Sequence, residues 1–265
     1  ADAQTAPSKG KNPVIVIPGI MGSKLVNKKT KETVWVRLIE SDVDDLSLPV
    51  SPNLEANVDD LVPDGILDKV RIFKFLPGIS IYAELLEYLE KKSGYVRGDW
   101  ENPVFENGLD MYFEFGYDWR RDNVENAHLL LEKIRKLKTK LKKPDLKFDV
   151  IGHSMGGLIA RYAAMYGTED LRENQKPNWS GVRHFEKIFL MGTPNEGSMG
   201  ALDSLIFGVS VDAIAGRYFP KYLSREVVFT IPTLFQLLPH GKSLKIYDDL
   251  MQPIKLDIYD PDTWE

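Results

Sequence analysis

Phe148-Asp-Val-Ile-Gly-His-Ser-Met-Gly-Gly-Leu-Ile-Ala-Arg-Tyr162 is the stretch on which the fold turns. Residues 148–151 read as a strand, and Leu158, Ile159, Tyr162, Ala163 and Met165 recur at helical spacing. Between them Gly152-His153-Ser154-Met155-Gly156 fits G-x-S-x-G, in the strand–turn–helix context that a nucleophile elbow requires. So sharp a turn strains the serine backbone and demands small residues two positions either side, which Gly152 and Gly156 supply. It also sets Ser154 at a helix N-terminus, where unpaired N–H groups and the helix dipole favour a negative oxygen. Ser154 is therefore a candidate nucleophile for acyl transfer, and the Met155 N–H a candidate oxyanion donor. The competing reading is a tight turn whose glycines serve geometry alone.

Upstream, Pro13-Val-Ile-Val-Ile-Pro18 is a β-branched run of the kind found in parallel strands buried on both faces. Gly19-Ile-Met-Gly-Ser23 follows it. The Ile20 N–H is the expected second oxyanion donor; the alternatives are the Ile79 N–H, after Leu76-Pro-Gly78, and an ordinary β-to-α turn without that role. Residues 111–115 and 187–191 add two more strands. Tyr82, Leu85, Leu86 and Leu89 mark one face of a helix over 79–92. A second helix, capped by Asn123, carries its stripe through Ala127, Leu130, Ile134, Leu137 and Leu141 until Pro144 stops it. Strands alternating with helices imply a mostly parallel sheet with helices on both faces, the α/β class. Ligands of such sheets bind beyond the carboxyl ends of the strands, where residues 19–23, 116–122, 152–156 and 192–198 all fall.

Composition narrows the chemistry. A chain of 265 residues can bury roughly three-quarters of its unfolded surface. The absence of cysteine excludes disulfides, thiolate metal sites and a cysteine nucleophile. A net charge of −5 leaves no footprint for nucleic acid, and no phosphate-cradling glycine loop is present. The least charged stretch, 227–239, is shorter than the roughly 20 residues of a membrane span and is interrupted by Pro232. Residues 1–12 read as a flexible N-terminal segment, compatible with a mature exported protein and so with an extracytoplasmic or secreted location. Residues 38–68 carry nine acidic residues and no Lys or Arg, which suggests an irregular surface insertion. Asp42, Asp44 and Asp45 could form a calcium site there, against the plainer reading of a solvated acidic face. The basic row from Lys133 to Lys143 could likewise attract anionic lipid or simply face water.

Several motifs in order carry a resemblance. They are Val14-Ile-Val-Ile-Pro-Gly-Ile-Met-Gly-Ser-Lys-Leu25, Ser93-Gly-Tyr-Val-Arg-Gly-Asp99, Phe115-Gly-Tyr-Asp-Trp-Arg-Arg121, Gly152-His-Ser-Met-Gly-Gly157, Met191-Gly-Thr-Pro-Asn-Glu-Gly-Ser198 and Phe235-Gln-Leu-Leu-Pro239. Together they resemble the lecithin:cholesterol acyltransferase-like family, α/β-hydrolases that include lysosomal phospholipase A2 and bacterial relatives. The resemblance implies an α/β-hydrolase fold, a lipid ester as substrate partner, Ser154 as nucleophile, Ile20 and Met155 as oxyanion hole, and neither metal nor organic cofactor. It assigns 13–198 to the core and 241–265 to the start of the core's C-terminal part. The apolar segment 199–240 resembles a lid able to touch a membrane interface; helices packed on the core are the alternative.

A serine nucleophile needs a general base and an acid to orient it. Only four histidines exist. His128 lies on a helix before the elbow, His153 is the x of G-x-S, and His184 precedes a strand. His184 thereby faces the wrong end of the sheet, and order alone would permit His240, with Asp203 and Asp212 upstream, although no strand pattern places it at a carboxyl edge. Because just 25 residues follow it, and a parallel crossover takes about a dozen before either strand is counted, two more strand-loop units do not fit. The expectation is that the triad acid and histidine lie beyond Glu265, with the last strands on a further segment that completes the fold. The functional expectation is a serine-dependent lipid ester hydrolase or acyltransferase. A non-catalytic lipid-binding protein of the same fold and a soluble carboxylesterase are the alternatives.

Overall fold

Val14 to Ile17 is apolar at every position because both faces of this strand are covered. The computed structural model describes residues 11–35, 46–53, 56–67, 69–70, 79–80, 82–103, 108–172, 175–210, 222–240 and 244–264. After β1 (Val14–Ile17) the chain forms an antiparallel unit in which β2 (Ser23–Asn27) pairs with both β3 (Thr33–Trp35) and β4 (Leu61–Ile66). A short ribbon follows, β5 (Lys69–Val70) with β6 (Ile79–Ser80). Then come α1 (Ala83–Glu87), a π-helical turn (Tyr88–Lys92), β7 (Val96–Arg97), β8 (Met111–Glu114) and α2 (Asn123–Lys140). The elbow joins β9 (Phe148–His153) to α3 (Met155–Tyr166), and β10 (Phe185–Met191) leads to α4 (Met199–Phe207). The remainder is β11 (Val209–Ser210), β12 (Tyr222–Leu223), α5 (Arg225–Val228), α6 (Pro232–Gln236), β13 (Ile246–Tyr247) and β14 (Pro253–Ile254).

The central sheet has the order β10-β9-β1-β8-β7, and every pairing in it is parallel. Strand alternation sorts its side chains between two layers. Ile15, Ile17 and Phe113 join the cluster built with α2 and α3, while Val14, Val16 and Tyr112 pack with Tyr82, Leu86 and Leu89 around α1. Helices thus cover both faces, and the fold is α/β. Because the strands run parallel, the loops after β1, β8, β9 and β10 share the carboxyl edge.

Several local expectations give way to longer-range contacts. The helix expected over 79–92 starts at Ala83, because Ile79 and Ser80 pair with Lys69 and Val70 instead. The cap of α2 is Asp122 rather than Asn123: the Asp122 carboxylate accepts the Val124 N–H, while Gln236 binds both Asp122 and the Asn123 N–H. Residues 38–68 are not simply an irregular surface insertion, since they contain β4 and bury Leu46 and Leu48. The segment 199–240 divides. Residues 227, 228, 231, 234, 237 and 238 are buried in the main core, and Thr233 Oγ1 donates to Trp119 O at 2.7 Å, whereas α4 leaves Met199, Ile206 and Phe207 exposed. Of the basic row, Lys138 is buried.

Arg120 joins these parts. Its side chain is fully buried, and all five of its N–H donors find acceptors. Nε and Nη2 donate to the two oxygens of Asp118 at 3.0 and 2.8 Å. Nη1 and Nη2 donate to those of Asp59 at 2.7 and 3.0 Å, and Nη1 also reaches Leu46 O. Burial lowers the guanidinium pKa, but the Asp59 and Asp118 bonds outweigh it and leave the pKa raised. One cation therefore fastens residues 46 and 59 to the loop after β8. Arg120→Gln should lower unfolding stability by about 3–5 kcal/mol, because it strands two carboxylates; a urea midpoint unchanged from wild type would refute this.

Candidate active site

The strain expected at the elbow is present. Ser154 has φ 50° and ψ −125°, between the last residue of β9 and the first of α3. Its own N–H donates to Met191 O at 2.8 Å, which ties the elbow to the end of β10. Close backbone packing explains the flanking glycines. A Cβ on Gly156 would collide with the carbonyl oxygens of Ile17 and Pro18, and one on Gly152 would come within 2.7 Å of Gly157 Cα. The carboxyl end of β1 therefore lies directly against the first turn of α3.

The loop after β1 is held from several sides. Gly22 N–H donates to Gly19 O at 3.0 Å, closing a turn that places Met21 at φ 60°. Trp35 Nε1 donates to Met21 O, Leu67 N–H to Gly22 O, and Tyr117 Oη to Pro18 O, each at 2.8 Å. Gly19 touches the elbow: a Cβ there would stand 2.9 Å from Ser154 Cβ and 3.4 Å from Oγ. Ile20 follows Gly19 in this loop, and Met155 is the first residue of α3, where N–H groups lack intrahelical partners. Ile79, the other oxyanion candidate, sits in β6, and Leu76-Pro-Gly78 lie outside the described residues.

Tyr82 is a site residue that the sequence reading counted only as a buried helical position. Its Oη accepts the Gly19 N–H at 2.8 Å and lies 2.8 Å from His153 Nδ1. Burial raises the phenol pKa, so the group keeps its proton. The Tyr82 hydroxyl and His153 Nδ1 thus share one hydrogen bond, whose direction follows the imidazole tautomer. Burial also lowers the His153 pKa, in keeping with a neutral ring. The side-chain signal lay in the phenol: a buried tyrosine hydroxyl needs a partner.

The four histidines are dispersed. His128 lies within α2, and His184 stands just before β10 at the amino edge of the sheet. His240 reaches the carboxyl edge, its N–H donating to Glu196 O at 2.9 Å in the loop after β10. No hydrogen bond among the described residues links Ser154 to His128, His153 or His184. Among the described residues, no group of three or more His, Asp or Glu is placed to hold a metal ion, and Asp42, Asp44 and Asp45 lie outside them.

The lecithin:cholesterol acyltransferase family model matches residues 67–259, well over half the sequence. The chain belongs to the lecithin:cholesterol acyltransferase family. Lecithin-cholesterol acyltransferase-like 4 of Arabidopsis thaliana is 28% identical over 244 residues, covering 86% of this chain and 43% of that protein. Phospholipase A(1) LCAT3 of the same plant is 25% identical over 255 residues, with coverage of 86% and 52%. The chain therefore spans about half the length of these relatives. A chain in the crystal structure of the Tle4-Tli4 complex is similar with a TM-score of 0.47 and 17% identity, over 91% of this chain and 60% of that one.

Tyr82→Phe leaves the buried Gly19 N–H without its acceptor. Thermal unfolding should show a loss of about 1–3 kcal/mol, and a variant as stable as wild type would rule out this clamp.

Proposed function

We propose that the chain carries the nucleophile and oxyanion hole of a lipid ester hydrolase or acyltransferase, with Ser154 as the nucleophile. The observation that carries this reading is the Ser154 backbone, held at φ 50° on a helix N-terminus against the Gly19 loop. As the base takes its proton, Ser154 Oγ attacks the ester carbonyl carbon, and the carbonyl oxygen gains negative charge between the Met155 and Ile20 N–H groups. Collapse of that intermediate breaks the ester C–O bond and releases the alcohol with a proton from the base. Water or a second alcohol then takes the acyl group by the same steps reversed. In this mechanism the work falls to positioned N–H donors and a base.

Family membership and the similarity to the Arabidopsis phospholipase A(1) LCAT3 support a lipid ester as substrate. So does α4, which exposes Met199, Ile206 and Phe207 just after the Thr193 loop. An apolar cavity of about 620 Å³ between α4 and residues 244–264, lined by Leu202, Leu256 and Trp264 among others, adds room for an acyl chain. In this proposal the lid comprises α4, because residues 227, 228, 231, 234, 237 and 238 are held in the core.

The base in this proposal is a histidine other than the four present. His153 has Nδ1 engaged by Tyr82, His128 lies in α2 against Tyr162, and His184 precedes β10 at the amino edge. The outer edge of β10 favours a further strand beside it: it has no partner among the described residues, and Phe189, Leu190 and Met191 are exposed.

A fluorophosphonate should label the intact protein at Ser154, and Ser154→Ala should abolish the label and lower hydrolysis of lipid esters by about 10⁴-fold or more. Labelling that survives the substitution would sink the assignment. His240→Ala should retain turnover; its loss would move the base to His240.

A further inference from the structure

At the amino edge of the sheet, opposite the edge that bears Ser154, lies a cavity of about 720 Å³. Its walls are the last turns of α2, the turn leading into β9 and the short helical turn leading into β10. The side chains lining it include Arg135, Lys138, Lys142, Lys147, Arg183 and His184, with Asp145 as the one acidic residue. Lys147 pairs with Glu186 at 3.3 Å. Arg135, Lys138, Lys142 and Arg183 make no ion pair among the described residues.

Two of these groups are not ordinary surface cations. Lys138 keeps only 6% of its surface exposed and His184 only 7%. Buried charges are normally paired, since an uncompensated one costs several kcal/mol. Burial lowers the Lys138 pKa, and Arg183 and Lys147 lower it further while Asp145 opposes them. Burial also pushes the His184 pKa to about 4, with Lys138, Arg183 and Arg135 pressing in the same direction. His184 Nε2 accepts from Arg183 Nε at 3.4 Å, so its neutral ring carries hydrogen on Nδ1, a buried donor with no acceptor among the described residues. Some cations at the end of α2 complement the helix dipole. That effect does not account for Arg183 or Lys147, which come from other segments, nor for burying Lys138.

We infer that this cavity is a binding site for a multivalent phosphate anion, whose oxygens pair with Lys138, Arg135 and Arg183 and relieve their mutual repulsion. A doubly charged phosphate group matches several converging cations better than a carboxylate does, and arginine forks suit its oxygens. Position favours a soluble anion over a bilayer headgroup, because a membrane held at this edge would face away from Ser154. The cationic site does not depend on the chemistry assigned to Ser154; only the preference for a soluble source rests on that reading.

The test uses the intact protein with inorganic pyrophosphate as probe, at constant ionic strength. Saturating pyrophosphate should raise Tm by about 5 °C or more, well above the effect of matched chloride. Lys138→Met should abolish this rise and weaken binding about tenfold or more by calorimetry, while its anion-free Tm should equal or exceed that of wild type. Arg183→Gln, at a more exposed position, is the second variant and should weaken binding in the same direction. Vesicles of phosphatidylcholine with a bisphosphorylated inositol lipid form the second arm. Co-sedimentation that pyrophosphate displaces and Lys138→Met abolishes would assign the same site to a lipid headgroup. A pyrophosphate response no larger than that of chloride, or one unaltered in both variants, overturns the proposal.

Discussion

A serine held at φ 50° and ψ −125° cannot keep that backbone by itself, and the rest of the structure is arranged to hold it there. The constraint is close approach. The first turn of α3 lies on the carbonyl end of β1, near enough that Gly156 has no room for a Cβ. The Met191 carbonyl at the end of β10 accepts the Ser154 N–H, so three neighbouring strands meet at one residue. Removing any of these contacts would let the serine relax to an ordinary turn and would separate Oγ from the Gly19 loop.

The antiparallel unit and the loop after β8 serve the same constraint from further out. Trp35 reaches across to Met21 O, Tyr117 to Pro18 O, and Ser23 Oγ accepts the Tyr117 N–H at 3.1 Å. Tyr117 and its neighbour Asp118 are in turn anchored where Arg120 gathers Asp118, Asp59 and Leu46. Bidentate pairing fixes direction as well as distance, and it is a means of holding an irregular loop without a strand ladder. The loop after β8 therefore owes its shape to an ion pair network, whereas β1 and β9 owe theirs to hydrogen-bonded pairing.

Legibility in the sequence followed the range of the interaction. The elbow, the buried β1 and the α2 stripe are decided within a few residues, so Gly152, Gly156 and Ile134 could be read directly. Asp122 and Asn123 are both capable caps, and the choice between them is made by Gln236, more than a hundred positions away. The acid count of 38–68 suggested surface because composition does not reveal that Asp59 meets Arg120, while the ribbon of β5 and β6 shortened a helix whose own periodicity extended further. Lys138 did carry a local signal: it stands four residues after Ile134, on the buried stripe, where a solvated lysine does not belong. Tyr82 likewise fell on an apolar stripe, and its hydroxyl was the part that mattered.

Arg120 and Lys138 show what burial alone does and does not tell about a cation. Both are taken from water. Arg120 meets two carboxylates and a carbonyl, so every donor is used and nothing is left for a ligand. Around Lys138 the neighbours are mostly of its own sign, and burial, reinforced by those charges, lowers the pKa of the His184 ring beside them. A stable fold gains nothing from gathering like charges, since replacing Lys138 with an apolar residue would remove both repulsion and desolvation. The first arrangement is explained by the structure it holds. The second leaves converging donors of one sign unused around an open cavity, and it is on this difference from Arg120 that the proposed anion site rests.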